Sequence, residues 1–141
     1  MAYKIIDNDN ERCRTWMSEQ CNKPCSDMVQ TIGLENKGAL VAVVGYNCFN
    51  GKSCQQHIVV GKSARGTKAF LWFIFHYPFI QLGLEMLIAI MPEDNADIVK
   101  MAKQAGFIEE YRIDGAHPDG DLILCTMRRS DCRFLNIRLK G

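Results

Sequence analysis

The chain has 141 residues, of which 48% are apolar and 23% are charged. This composition is typical of a globular protein, and we predict one α/β (α+β) domain over residues 1–141. A formal net charge of +1 provides neither a basic surface for nucleic acid nor an acidic tail. Residues 1–7 lack the long apolar run of a targeting signal, so we expect a cytoplasmic protein.

The most apolar stretch, Ala69–Met91, is long enough to suggest a membrane span. Pro78 and Gly83 interrupt it, and both residues would break a single spanning helix. A buried helix, a turn and a buried strand fit the stretch better, so no membrane association is expected.

The seven cysteines are an odd number and favour reduced thiols over a disulfide framework. Cys13, Cys21 and Cys25 could be considered as zinc ligands, but their spacing is not Cys-x-x-Cys. Cys13 and Cys21 also share a helix face with Trp16 and Met17. We therefore predict core thiols and no metal.

The first third of the chain predicts a strand, a helix and two further strands. The strand covers Tyr3–Asp7, and the helix is capped by Asp9 or Asn10 and ended by Lys23-Pro24. A weak strand over Met28–Leu34 precedes a buried strand over Ala39–Val44, with Phe49 as its furthest extension.

Asn50-Gly51 predicts a hairpin, because a type I′ turn needs positive φ at both central residues. The returning strand is Ser53–Val60, followed by a basic, glycine-containing loop over 61–68. An apolar helix over Thr67–Tyr77 comes next, and Pro78 is expected to end it.

The last part predicts a buried strand, a helix and a closing hairpin. The strand covers Leu84–Met91, and the helix is capped by Asp94 or Asn95 and stopped by Gly106. Two strands over 107–114 and 121–127 follow, whereas the basic tail over 130–141 fits no element. The order of elements indicates a single sheet flanked by helices.

The strand, loop and helix of residues 56–77 form a unit that can bind phosphate. The helix N-terminus presents unpaired amide groups at the positive end of the helix dipole. Lys62, Arg65 and Lys68 add positive charge there. An ordinary connecting loop is the alternative interpretation.

Several segments in this region and beyond it carry a specific resemblance. They are Cys54–Ile58, Phe70–Trp72, Phe75–Gly83, Asn95 with Ala105-Gly106-Phe107, Pro118–Asp121 and Asp131–Leu135. Their order and spacing over residues 39–135 resemble phage- and prophage-encoded members of the GNAT N-acetyltransferase superfamily.

This resemblance implies a mixed, mostly antiparallel sheet in which two parallel strands, Ser53–Val60 and Leu84–Met91, splay apart around acetyl-CoA. It implies that the coenzyme meets backbone groups of one strand, amides and cations of the following loop, and one later side chain. These residues are, in chain order, Val59, Val60, Lys62, Ala64, Arg65, Gly66, Thr67, Lys68 and Asn95.

Acetyl transfer needs a base that deprotonates the acceptor amine. His57 lies on the strand that enters the coenzyme loop and has an ordinary pKa suited to neutral pH, although a core histidine is an equal alternative. Glu109 could face an acceptor groove and Tyr111 could donate a proton, with an exposed acidic pair as the other reading of Glu109 and Glu110.

The sequence therefore predicts an acetyl-CoA-dependent N-acetyltransferase with an amine-bearing acceptor and no metal. The aromatic helix around Trp72 also suggests a homodimer as one option. The alternative is a GNAT-fold phage protein without catalysis, acting in the virion or on the host. That alternative rests on Ala102, where many members have a tyrosine, and on an irregular phosphate loop.

Overall fold

The computed structural model describes residues 3–61 and 67–138. These residues form one sheet of seven strands, flanked by three α-helices. The strands are β1 (Tyr3–Ile6), β2 (Gln30–Asn36), β3 (Ala39–Asn50), β4 (Ser53–Val60), β5 (Met86–Pro92), β6 (Ile108–His117) and β7 (Gly120–Arg128). The helices are α1 (Asn10–Cys21), α2 (Lys68–His76) and α3 (Ala96–Ala105).

The sheet runs in the order β1-β2-β3-β4-β5-β7-β6. Neighbouring strands are antiparallel except β4 and β5, which are parallel. This is the mixed, mostly antiparallel sheet that the sequence predicts. No helix of the described residues is both long and apolar enough to cross a bilayer.

Helix α1 covers one face of the sheet, while α2 and α3 cover the other. Cys13 and Met17 of α1 are buried with Val43 of β3 in a smaller apolar cluster. The next residue, Val44, points to the opposite face and belongs to the main core, which also contains Ile74 of α2 and Ala102 of α3. The alternation of the strands thus separates two apolar layers.

The helix-capping and hairpin signals of the first half are confirmed, but the turn type is not. Asp9 caps α1 by accepting a hydrogen bond from the Arg12 backbone N–H over 3.2 Å, and Asn22 ends the helix in the left-handed conformation. The hairpin forms and β4 has the predicted bounds, but the type I′ turn with Asn50 and Gly51 as central residues is wrong. Gly51 has φ of +65°, whereas Asn50 has no positive φ and is the last residue of β3, paired with Ser53.

The prediction that Pro78 ends the apolar α-helix is confirmed, because α2 ends at His76 with Tyr77 as its C-cap directly before the proline. The continuation beyond the α-helix was not predicted. The chain stays helical through a π-helical turn over Tyr77–Gln81, closed by the Leu82 N–H on the Tyr77 carbonyl at 3.0 Å. Pro78 has no N–H for the Ile74 carbonyl. That carbonyl instead accepts hydrogen bonds from the Tyr46 hydroxyl and from Gln56 Nε2, the latter over 3.1 Å. Buried side chains of the sheet therefore satisfy the group that the proline leaves free.

Two strands are shifted by about two residues from their predicted bounds. Part of the tail, which fitted no predicted element, forms short helical turns. Strand β2 was expected over Met28–Leu34 and β5 over Leu84–Met91, but pairing with neighbouring strands decides both. The tail forms two short 3₁₀ turns over 129–136. Arg133 donates to the Ala105 and Gln104 carbonyls at the end of α3, and Phe134 stacks on Phe75 of α2.

Candidate functional site

The central feature of the sheet is a gap between β4 and β5. The two strands pair only at Ser53–Met86, Cys54–Leu87 and Gln55–Ile88. Both strands continue beyond these pairs, β4 to Val60 and β5 to Pro92, but they do not pair with each other again. The parallel strands therefore splay apart after Gln55, and we call the opening the β4–β5 gap.

Backbone groups of alternate β4 residues face the β4–β5 gap. The Gly61 N–H donates to the Val41 carbonyl at 2.7 Å, which makes this an antiparallel hydrogen-bonded pair between the ends of β4 and β3. By alternation, backbone groups of Val59 also face β3, whereas those of Ile58 and Val60 face the gap. Of the two residues expected to bind the coenzyme through their backbone, Val60 is therefore placed for it and Val59 is not.

Along the chain, the N-terminus of α2 follows the end of β4 that is not paired with β5; the strand ends at Val60, and the helix begins at Lys68. Thr67 caps this helix, accepting a hydrogen bond from the Phe70 N–H over 3.1 Å with its hydroxyl oxygen. The N–H groups of Lys68 and Ala69 lie in the first turn, where helix geometry supplies no acceptor. Four predicted coenzyme residues, Lys62, Ala64, Arg65 and Gly66, lie outside the described residues.

Asn95 lies at the corresponding end of β5. Its side-chain oxygen caps α3 by accepting a hydrogen bond from the Ile98 N–H over 3.3 Å. The sequence expected Asn95 or Asp94 in this capping role, and Asn95 fills it. A contact of Asn95 with a coenzyme stays a prediction.

His57 lies on β4 beyond the last pair with β5, on the face that carries α1. Its Nε2 atom is 2.7 Å from Oδ1 of Asn47, a buried residue of β3. Burial lowers the pKa of His57, the charge of Lys23 lowers it further, and the charge of Asp27 opposes both. The ring is therefore neutral near pH 7 and can accept a proton.

The structure does not bring Glu109 and Tyr111 to His57. Both lie on β6, and β7 separates β6 from β5, which places β6 about 10 Å beyond β5. A hydrogen-bonded ion pair with Arg112 and the charge of Lys103 lower the pKa of Glu109, so its carboxylate is a weak base. The side chain of Tyr111 is 67% exposed.

Cys54 and the three cysteines considered as zinc ligands have the surroundings of structural thiols. Cys54 is fully buried, and burial raises its pKa to about 12, which leaves no thiolate for nucleophilic attack. The sulfur atoms of Cys21 and Cys25 lie 3.6 Å apart at the end of α1. Cys13 packs instead over Gly33 of β2.

No protein-family model and no curated protein matches this chain. Solved structures do. A spermidine N-acetyltransferase SpeG N152L mutant from Vibrio cholerae is 14% identical, with a TM-score of 0.73 over 96% of this chain and 97% of that chain. The chain has the GNAT fold.

Two further structures agree with this assignment. The spermidine N-acetyltransferase from Vibrio cholerae in complex with CoA and spermine is 14% identical, with a TM-score of 0.70 over 96% of this chain and 99% of that chain. The IAA acetyltransferase from Bacillus cereus ATCC 14579 is 11% identical, with a TM-score of 0.71 over 90% and 99%. The predicted fold is therefore confirmed.

Two residues of the site were missed in the sequence. Asn47 contacts His57, and Asp27 contacts Asn47 from the connection between α1 and β2. Asn47 had a weak signal, since it is a polar residue in the extension of an apolar strand. Asp27 had none, because nothing local indicates which strand its loop covers.

Proposed function

We propose that this protein is an acetyl-CoA-dependent N-acetyltransferase that acetylates an amine. The observation that carries the proposal is the β4–β5 gap, and the N-terminus of α2 follows β4 along the chain. A gap of this kind inside a sheet leaves backbone hydrogen-bonding groups without a strand partner, and such groups need one. An extended molecule with amide groups and a charged phosphate end would satisfy both the gap and the helix.

The chain's own groups fit acetyl-CoA at two places. Backbone groups of Ile58 and Val60 are directed at the gap and suit the amides of the pantetheine arm. The first-turn N–H groups and the ammonium of Lys68 suit the pyrophosphate, because a helix N-terminus favours negative charge. The loop cations Lys62 and Arg65 are proposed to add to this attraction.

His57 is the proposed base. A protonated amine gives one proton to the neutral imidazole, and its nitrogen then attacks the thioester carbonyl carbon. The new C–N bond forms while the C–S bond breaks, and the second proton of the nitrogen ends on the coenzyme thiol. The imidazolium returns its proton to water, so the products are the N-acetylated acceptor and CoA.

The chemical class of the acceptor is also a proposal. Two of the similar structures are of the spermidine N-acetyltransferase from Vibrio cholerae, and one of them is a complex with CoA and spermine. We infer an amine acceptor for this chain, and the resemblance of residues 39–135 supports a phage- or prophage-encoded enzyme acting in the host cytoplasm. Another structure of the Vibrio cholerae enzyme is dodecameric, and a homodimer of this chain stays a prediction.

Calorimetric titration with acetyl-CoA tests the proposal. We expect saturable binding at one site in the wild type and about tenfold weaker binding in Lys68→Glu, because the new carboxylate opposes phosphate at the helix N-terminus. Lys52→Glu is the matched control. It makes the same charge change at the other end of β4, where Lys52 is exposed beside Glu85, and should bind like the wild type.

Two outcomes would contradict the proposal in different ways. Absence of binding at millimolar acetyl-CoA would show that the β4–β5 gap does not bind the coenzyme. Binding without acetylation of any amine in a panel of polyamines, amino acids and peptides would favour the non-catalytic alternative. Ala102 is the feature behind that alternative, since its buried methyl group cannot donate a proton to the departing thiolate.

A further inference from the structure

His57 is held by a chain of two hydrogen bonds that reaches the protein surface. Asn47 Oδ1 lies 2.7 Å from His57 Nε2, and Asn47 Nδ2 donates to Asp27 Oδ2 over 3.0 Å. Asn47 is only 6% exposed, whereas Asp27 is exposed. A buried amide thus links the histidine to a solvated carboxylate.

The loop that carries Asp27 is fixed on the sheet by its neighbours. Met28 is buried, and its sulfur fills the space above Gly45, where a Cβ atom would lie 2.7 Å from it. Gly45 is the residue of β3 directly opposite His57. The Val29 N–H also donates to the Tyr46 carbonyl over 2.8 Å. These contacts hold Asp27 over Asn47 without help from a ligand.

The carboxylate decides the orientation of the Asn47 amide. An ionised carboxylate can only accept hydrogen bonds, so the NH₂ group of Asn47 must face Asp27. The carbonyl oxygen of the amide then faces His57 and can only accept. His57 Nε2 must therefore carry a proton, and Nδ1 holds the lone pair of the neutral ring.

We propose that Asp27 and Asn47 are positioning residues that fix His57 in its Nε2–H tautomer and reserve Nδ1 for the acceptor proton. This inference rests on the proposed function. Within residues 3–61 and 67–138, no protein group is hydrogen-bonded to Nδ1. When Nδ1 takes a proton, the imidazolium keeps its bond to Asn47, and the Asp27 charge stabilises it through the amide.

Two nearby charges act on the ring from the same connection between α1 and β2. Lys23 favours the neutral imidazole and Asp27 favours the imidazolium, while burial favours the neutral form. Removing the carboxylate of Asp27 while keeping Lys23 should lower the pKa of His57 further. Asp27→Asn also lets the new side chain offer either oxygen or NH₂ to Asn47, so the amide can rotate and the tautomer preference weakens.

The test uses ¹⁵N NMR of the histidine rings in the full-length protein. In the wild type at pH 8 we expect the Nε2 shift of a protonated nitrogen and the Nδ1 shift of an unprotonated one. Asp27→Asn should mix the two tautomers and lower the pKa of His57. Asp27→Glu should restore the wild-type pattern, and Asp7→Asn, an exposed change of the same kind between β1 and α1, should leave it unaltered.

Kinetics give a second readout. With a saturating amine we expect Asp27→Asn to reduce kcat about tenfold with KM nearly constant, because a positioning role acts on the base and not on substrate binding. A wild-type Nδ1–H tautomer, or an Asp27→Asn protein with unchanged tautomer and pKa, would overturn the proposal. Asp27 is exposed, so loss of folding is not expected to hide the result.

The NMR result does not depend on acetyl transfer. If no acetyl-CoA binds but the Nε2–H tautomer follows Asp27 as described, the proposed function fails together with the role of Nδ1 toward an acceptor, and only the tautomer control by Asp27 and Asn47 stands. If acetylation occurs but the tautomer ignores Asp27, the function stands and the positioning chain fails. The two failures are therefore distinguishable.

Discussion

Strands β4 and β6 both carry candidate acid–base groups, but they place them in different surroundings. On β4, His57 is half-buried beneath the connection that follows α1 and is hydrogen-bonded to Asn47. On β6, Glu109 is held by Arg112 at the edge of the sheet, and Tyr111 is largely exposed. The surroundings of these candidate groups thus differ because β4 is a central strand and β6 is an edge strand.

The difference shows what a sheet contributes to a site. A central strand such as β4 has a paired strand, β3, on one side and the β4–β5 gap on the other. Its side chains can therefore contact buried residues and still lie near an opening. An edge strand gives its side chains water and mobile counter-ions, which screen charges and moderate pKa shifts. We therefore place the proposed chemistry on β4. The following predictions test whether residues of the central strands differ in this way from those of β6.

The largest effect is expected from removal of the base. His57→Ala should lower kcat/KM for acetyl transfer about 100-fold, the size of a general-base contribution. Glu109→Gln should stay within about twofold of the wild type, because β7 keeps β6 away from the β4–β5 gap. Equal losses in the two variants, with circular dichroism showing both folded, would place the base elsewhere.

The pH dependence of kcat/KM gives the next effect. Only neutral His57 can accept a proton, and burial sets its pKa below the ordinary value of about 6.5. Activity should therefore fall about tenfold per pH unit below that pKa and be insensitive to His57 above it. Ionisation of the amine adds its own dependence at higher pH. A low-pH inflection that persists in His57→Ala would assign it to another group.

A smaller effect on stability compares two tyrosines. Tyr46→Phe removes the hydroxyl that serves the Ile74 carbonyl beside Pro78, and should lower the free energy of unfolding by about 1–2 kcal/mol. Gln56 still donates to that carbonyl, which limits the loss. Tyr111→Phe on the exposed edge should change it by less than about 0.5 kcal/mol. Urea denaturation measures both, and equal shifts would contradict the assigned hydrogen bonds.

Local sequence signals predicted most of the elements because their causes are local. The Asn50-Gly51 turn, the Asp9 and Asn95 caps and the Gly106 stop each depend on a few neighbouring residues. The resemblance to GNAT enzymes then predicted the splay of β4 and β5, which is confirmed because the two strands share only three residue pairs. Pro78 ends α2 as predicted, but the π-helical turn after it was not predicted. The Ile74 carbonyl that the proline leaves free is satisfied by Tyr46 and Gln56, which lie 28 and 18 residues away in the chain.

The sequence by itself thus determined the elements, the two-sided apolar pattern of the sheet and His57 as a candidate base. Only the tertiary structure decided which candidates come together. Strand β7 lies between β5 and β6 and removes Glu109 and Tyr111 from the site, while the loop after α1 brings Asp27 to Asn47. These are long-range placements, fixed by strand pairing and by the packing of Met28 over Gly45, and no local pattern encodes them.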